Sequence, residues 1–222
     1  MSSSRMEEQG AGEPRTGEQE AGESGPDEKV DLALDQPIWN RVFTVAPLVV
    51  IGTREGDGYN LAPKHMATPL GWDNLFGFVC TPSHGTYQNA KTEEVFTVSF
   101  PLPDQVVMTS LTAQPRCGED QPTPGIQALP TEPATEVDGL LLQDSYLALE
   151  CELDRIVDGF GSWSLIAGRI VAARALRESV RASEVEDERI FQHSPLLAYL
   201  SPGRYAEIRE TREFPFPAGF KR

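Results

Sequence analysis

The sequence predicts a mainly-β fold: an antiparallel barrel, closed or split, with a few short helices. Three observations predict it. Apolar, β-branched runs recur from Val45 onward, and several alternate strictly between apolar and polar residues. The connections between most of them are short and rich in Gly, Asn and Asp. The regular strand–helix alternation of a parallel α/β sheet is missing.

The elements follow in order. Residues 1–35 are rich in Gly, Glu, Ser and Pro and nearly free of large apolar side chains. Such a segment cannot bury enough surface to offset its chain entropy, so it reads as a disordered acidic tail. Residues 36–222 read as one folded domain, with order beginning near Pro37-Ile38-Trp39. The run Val45 to Thr53 is a strand, and Arg54 to Asn60, with Gly56 and Gly58, is a tight turn. Asn60 to Ala67 is a second strand. Pro63 inside it removes a ladder donor and assigns it to an edge or a bulge.

Leu75 to Thr81 is a third strand, Thr86 to Glu94 a short helix, and Val95 to Phe100 an alternating fourth strand. Gln105 to Thr112 suits another short helix. Residues 113–139 carry five prolines, which predicts a long loop or irregular insertion. Ser145 to Val157 and Ser164 to Leu176 are two long strands around the turn Asp158-Gly159-Phe160-Gly161, forming a hairpin. Gly168 within the second marks a bend or a close approach. From Pro195 on, a short helical turn and a final strand are expected.

The formal net charge is -15, from 34 acidic and 19 basic residues. Ten acids and three bases fall within residues 1–35, so the tail carries -7 and the remainder -8. A chain this acidic repels phosphate backbones and anionic headgroups, which argues against nucleic-acid and membrane-surface partners. No window reaches the roughly 20 apolar residues of a membrane span. The N-terminus has neither the apolar core of a secretory signal nor the basic character of a transit peptide. Three widely spaced cysteines, Cys80, Cys117 and Cys151, make an odd number with no C-x-x-C, which fits a cytoplasmic address. Cys80 and Cys151 read as small buried core residues.

Motifs that would settle the chemistry are missing. There is no Walker loop, no G-x-S-x-G and no H-E-x-x-H, and Gly159-Phe160-Gly161-Ser162-Trp163-Ser164 only begins like a dinucleotide fingerprint. His65, His84 and His193 lack metal-ligand spacing, so no metal site is expected. No pair of carboxylates is singled out as a general acid and base, so no catalytic residue is assigned.

Two stretches carry possible binding chemistry. Thr81-Pro82-Ser83-His84-Gly85-Thr86-Tyr87-Gln88-Asn89 is a polar loop running into a helix. Free amides at that N-terminus, with Ser and Thr hydroxyls, can hold a phosphate, and a protonated His84 would add charge. The plainer reading is a helix cap made by Ser83 or Thr86. Asn60 to Pro69 offers small residues and a proline where a flat ligand can meet exposed backbone amides. The plainer reading there is an irregular edge strand with Lys64 and His65 in solvent.

Taken together, the order is an apolar strand, a turn, N-x-A-P-x-x-M-A-T, a strand and a Ser-His-Gly-Thr loop before a helix with Asn89. The runs F-T-V-S-F, L-E-C-E-L-D and I-A-G-R-I-V-A follow. Over about residues 40–215 this resembles the flavin reductase-like family, the FMN-binding split β-barrel proteins that include short-chain flavin reductases and flavoredoxin. The resemblance implies a homodimer with one FMN per subunit near the interface. It further implies an oxidoreductase of flavin reductase type that uses NAD(P)H, serving a partner monooxygenase or other electron acceptor. By position it assigns Ser83, His84, Thr86 and Asn89 to the phosphate side, and the auxiliary cation is expected to be Lys64 or an arginine from elsewhere, such as the partner subunit. Asn60, Met66, Ala67 and Thr68 fall to the isoalloxazine segment, and Thr81 beside the ring and ribityl chain.

Two departures stand out. The family's two basic loop positions are Ser83 and His84 here. In the pattern G-D-H-x-x-x-x-G-x-V, which several members associate with nicotinamide binding, Trp163 replaces the histidine. Its indole can stack on a flavin or nicotinamide, or simply pack. That substitution keeps a second expectation open, a non-catalytic or electron-carrier FMN protein. A third is a barrel without flavin that acts as an interaction module.

Overall fold

The computed structural model describes residues 29–113, 129–181 and 187–219. Most of the expected acidic tail, Cys117 and the middle of the proline-rich insertion lie outside the described residues. The chain divides into two units, Met1–Ile38 and Trp39–Arg222. Of the first, residues 29–37 hold neither helix nor strand.

Among the described residues the second unit has twelve strands, all antiparallel where they pair. The apolar run expected as one strand is two: β1 (Thr44–Pro47) and β2 (Val49–Glu55). They lie in different sheets, β1 on β11 (Leu196–Ser201) and β2 between β3 (Gly58–Lys64) and β6 (Val95–Phe100). Pro47 cannot donate to a further ladder bond, and the chain changes sheets at Leu48. The turn into β3 has two residues, Gly56-Asp57, with Gly56 at φ 55°. That left-handed geometry matches the twist of a hairpin and is why glycine serves there.

β4 (Ala67–Pro69), β5 (Leu75–Cys80), β9 (Leu147–Phe160) and β10 (Trp163–Ala175) complete a seven-stranded sheet in the order β3-β2-β6-β9-β10-β5-β4. Pro63 lies on an edge strand, as its missing N–H requires. β3 and β4 are opposite edges of this sheet, yet only His65 and Met66 join them. A flat sheet would separate its edges by about 28 Å, six strand spacings. Three Cα steps reach only about 11 Å. The sheet therefore curls until its edges meet at His65-Met66, leaving a seam where they do not pair. This is the split barrel.

Helix α1 (Gly85–Glu93) and helix α2 (Val106–Leu111) sit close to their expected positions. The C-terminal part differs from expectation. Helix α3 (Asp187–His193) precedes Pro195, and the expected helical turn is instead β11, hairpinned to β12 (Arg204–Ile208). The apolar pairs of Leu196-Leu197 and Tyr199-Leu200 suit either element in isolation, and the ladder to β1 decides for strand. The proline-rich insertion is also not all loop: β7 (Thr131–Pro133) pairs with β8 (Leu140–Leu142).

The core fills the curl with Phe76, Phe78, Phe96, Val98 and Ile166, each at most 1% exposed. Phe78 and Phe96 meet edge to face at 5.3 Å between centroids. Cys80 and Cys151 are buried among them as expected. Burial, and then the neighbouring Glu150, push the Cys151 thiol up to about 12, so it is inert. Glu150 itself is buried on β9, and its carboxylate accepts hydrogen bonds from the Thr135, Glu136 and Val137 amides and the Thr135 hydroxyl. It pins the insertion to the barrel. Among the described residues no helix is long and apolar enough to cross a membrane.

Candidate cofactor-binding site at the barrel seam

The seam leaves backbone groups without strand partners. Val79 N–H donates to the Met66 carbonyl at 2.8 Å, and Ala67, Thr68 and Pro69 pair with Phe78, Gly77 and Phe76. In an antiparallel ladder the hydrogen-bonded pairs alternate. Met66 and Thr68 thus turn their polar groups toward β5, and Ala67 turns its N–H and C=O to the open edge. A groove of about 570 Å³ runs along this segment. Val45, Pro47, Val79 and Leu165 give it apolar walls, and His65, Met66, Ala67 and Thr68 form the seam side. A flat, largely apolar ring with amide-like groups on its rim fits such a groove: apolar faces meet the walls, and its rim meets the free Ala67 edge.

His65 is not in solvent, as the plainer sequence reading had it. It is half-buried and stacks on Tyr199 at 4.7 Å. Burial and the charge of Lys64 both lower its pKa below the usual histidine value, so it is neutral at pH 7.

The Ser83–Thr86 loop lies at the end of β5 beside this segment. His84, not Ser83 or Thr86, occupies the N-cap position of α1, and no side chain caps the helix. The Ser83 hydroxyl pairs with that of Thr81 at 3.2 Å. The Thr86 side chain is 2% exposed, and its oxygen accepts from Asn60 Nδ2 at 3.2 Å, which leaves the hydroxyl proton unused. The Gly85 and Thr86 amides have no backbone acceptor among the described residues. Uncapped amides at a helix N-terminus attract an anion.

The cation for such an anion is not His84. Partial burial of its ring near Cys80, with Sγ and Nδ1 4.0 Å apart, and then Lys64 both hold its pKa down. Lys64 acts electrostatically on both His65 and His84. Lys64 ends β3, next to the His65-Met66 link, and is the basic residue whose charge is felt at both histidines.

The remaining expected residues are placed as follows. Asn89 braces α1 to β2 through Thr53 Oγ1 (3.2 Å) and Glu55 Oε1 (3.3 Å), one turn beyond the loop. The Thr68 hydroxyl donates to the Pro69 carbonyl at 3.3 Å, on the exposed side of the seam. Trp163 does not line the groove. It faces Phe160 across the tip of the β9–β10 hairpin, and these two are 42% and 57% exposed. The plainer expectation for Trp163, a core or interface aromatic after the hairpin turn, loses its core half, since the indole is too exposed.

Sequence reasoning missed the groove's far wall, Val45 and Pro47, because no local signal says that β1 leaves the main sheet. It also took Asp158 as part of a turn. Its carboxylate accepts from Ser164 Oγ (2.6 Å) and Tyr87 Oη (3.1 Å), tying α1 to the hairpin. The Ser164 hydrogen bond leads the causes that lower its pKa, so it stays ionised.

The model of the flavin reductase like domain matches residues 42–208. This chain belongs to the flavin reductase-like family. No curated protein matches it significantly. Among solved structures, a 2-nitrobenzoate 2-nitroreductase from Pseudomonas fluorescens aligns with a TM-score of 0.70 at 20% identity, covering 86% of this chain and 95% of that one. An FMN-binding protein from Thermus thermophilus aligns at 0.65 and 21%, covering 84% and 98%. An NADH:FAD oxidoreductase from Streptomyces globisporus aligns at 0.64 and 16%, covering 82% and 98%. At these identities the structural likeness speaks for the fold, a split barrel, while the family rests on the sequence model.

Proposed function

We propose that this family member is an FMN-binding oxidoreductase that works as an NAD(P)H-dependent flavin reductase. One observation carries the reading: an apolar groove with the open Ala67 edge lies beside a helix, α1, whose N-terminal amides no side chain caps. Ring, linker and phosphate of FMN match that sequence of apolar slot, half-exposed polar stretch and anion site. Ala67 orients the ring through its backbone edge, Asn60 positions the Thr86 hydroxyl, and the Gly85 and Thr86 amides with Lys64 hold the phosphate. Bound there, FMN would supply the redox chemistry, taking up hydride from a nicotinamide and passing its electrons onward. The seam is open on the side of the exposed Met66, where a second subunit of a homodimer can close it. The onward acceptor in this reading is a partner monooxygenase or another electron acceptor.

The phosphate assignment has a direct test. Lys64→Ala is expected to weaken FMN binding by about 1–2 kcal/mol, the worth of a charge-assisted contact. Riboflavin, without the phosphate, should lose less than about 0.5 kcal/mol in the same calorimetric titration. Equal losses for both ligands would remove the phosphate from this loop.

The second reading, an electron-carrier FMN protein, is favoured by Trp163 at the family's histidine position. Anaerobic stopped-flow mixing of the FMN-loaded protein with NADH or NADPH separates the two. Rapid bleaching of the flavin band is the expected result, and no bleaching with either nucleotide leaves the carrier. A protein that stays colourless with added FMN removes both.

A further inference from the structure

A second cavity, of about 400 Å³, lies between α2 and the β11–β12 turn. Its walls are Leu48, Pro63, Val106, Val107 and Ala113, with the stacked rings of His65 and Tyr199 on one side. His65 is also a wall of the seam groove, so the two spaces border on the same residue.

Two polar groups in this lining have no partner among the described residues. Thr109 is fully buried, and its hydroxyl makes no hydrogen bond. Its neighbours are satisfied: Ser110 donates to the Val107 carbonyl and Thr112 to the Thr109 carbonyl, each at 2.7 Å. A buried unpaired hydroxyl costs about 1–3 kcal/mol unless something completes it. Arg204 also lines the cavity from the exposed β11–β12 turn and, like Arg41, Arg177, Arg189 and Arg212, is in no ion pair among the described residues.

We infer that this cavity binds a small aromatic carboxylate. A single ring suits its size and the His65–Tyr199 wall, and neutral His65 presents no competing charge to the ring. The carboxylate pairs with the free guanidinium of Arg204, which matches its fork. The site is separate from the seam groove and does not depend on the flavin reading.

Benzoate is the probe, titrated into the full-length ¹⁵N-labelled chain and followed by amide shifts. Shifts are expected to concentrate at residues 106–113 and 203–205. Arg204→Gln, an exposed substitution that leaves the fold intact, should raise the dissociation constant about tenfold, the value of a charge-assisted hydrogen bond. Benzamide, the same shape without the charge, should bind about tenfold more weakly for the same reason. Ala113→Trp, which fills the cavity, should abolish the shifts. Benzoate binding by a chain that takes no flavin would uphold this site while removing the flavin reading. Shifts confined to the seam residues 66–68, or affinity unchanged in both variants, would overturn the inference.

Discussion

Glu150→Ala is expected to cost about 3 kcal/mol of stability, because it strands several donors that have no other acceptor. The carboxylate is 1% exposed and receives the Thr135 amide on both oxygens, at 3.1 and 2.9 Å. The Thr135 hydroxyl follows at 3.0 Å, with the Glu136 amide at 2.6 Å and the Val137 amide at 3.2 Å. Arg174 stands 3.7 Å away and offsets part of the buried charge. Thermal unfolding should fall by roughly 6–12 °C for a domain of this size. Hydrogen exchange should speed up first at the Thr135, Glu136 and Val137 amides.

Burial alone would raise the Glu150 pKa, yet the hydrogen bonds outweigh it and the net direction is down. A carboxylate with a depressed folded pKa contributes stability that is complete above its unfolded value, about 4.3, and is lost as pH falls through the folded one. Stability of the wild type should therefore decline below about pH 5 more steeply than that of Glu150→Ala. Parallel curves for the two proteins between pH 3 and 6 would show that the carboxylate carries no such linkage.

Gly168→Ala is expected to destabilise by about 1–3 kcal/mol, the range of an overpacked core, and Gly168→Val by more. A Cβ there would stand 2.5 Å from Phe96 Cζ, 2.6 Å from Cε1 and 3.0 Å from the Glu152 carbonyl. Phe96 cannot retreat, since it is 1% exposed and held edge to face against Phe78. The site coincides with a register shift between Ala167 and Gly168, where β10 bends over the ring. Gly58→Ala is the control: its nearest neighbour would be 3.8 Å away, so denaturant unfolding should place it within about 0.5 kcal/mol of wild type. A Gly168→Ala midpoint equal to that of Gly58→Ala would remove the packing argument.

The value of Gly168 was legible in the sequence as a bend or close approach, because a glycine inside a β-branched run has few other uses. The edge position of β3 was legible for a similar reason, since Pro63 cannot serve a central ladder. The Ser83–Thr86 loop was found, but the role of its residues shifted. The hydroxyls expected to cap α1 turn instead to Thr81 and Asn60, and that leaves the amides open. His84 looked like the cation of the loop, yet Lys64, twenty residues earlier in sequence, is the group whose charge reaches it.

By itself the sequence determined what is local. Alternation set the strands, glycine and asparagine set the turns, and the ordered motifs pointed to the flavin reductase-like family. What only the tertiary structure decided is where distant edges meet. The split of one apolar run between two sheets, the conversion of the segment after Pro195 into a hairpin, and the burial of Glu150 all depend on partners far along the chain. So does the seam itself. Two strands that look like neighbours in sequence are opposite edges of one sheet, and a two-residue link too short to span a flat sheet forces the curl that creates the candidate site.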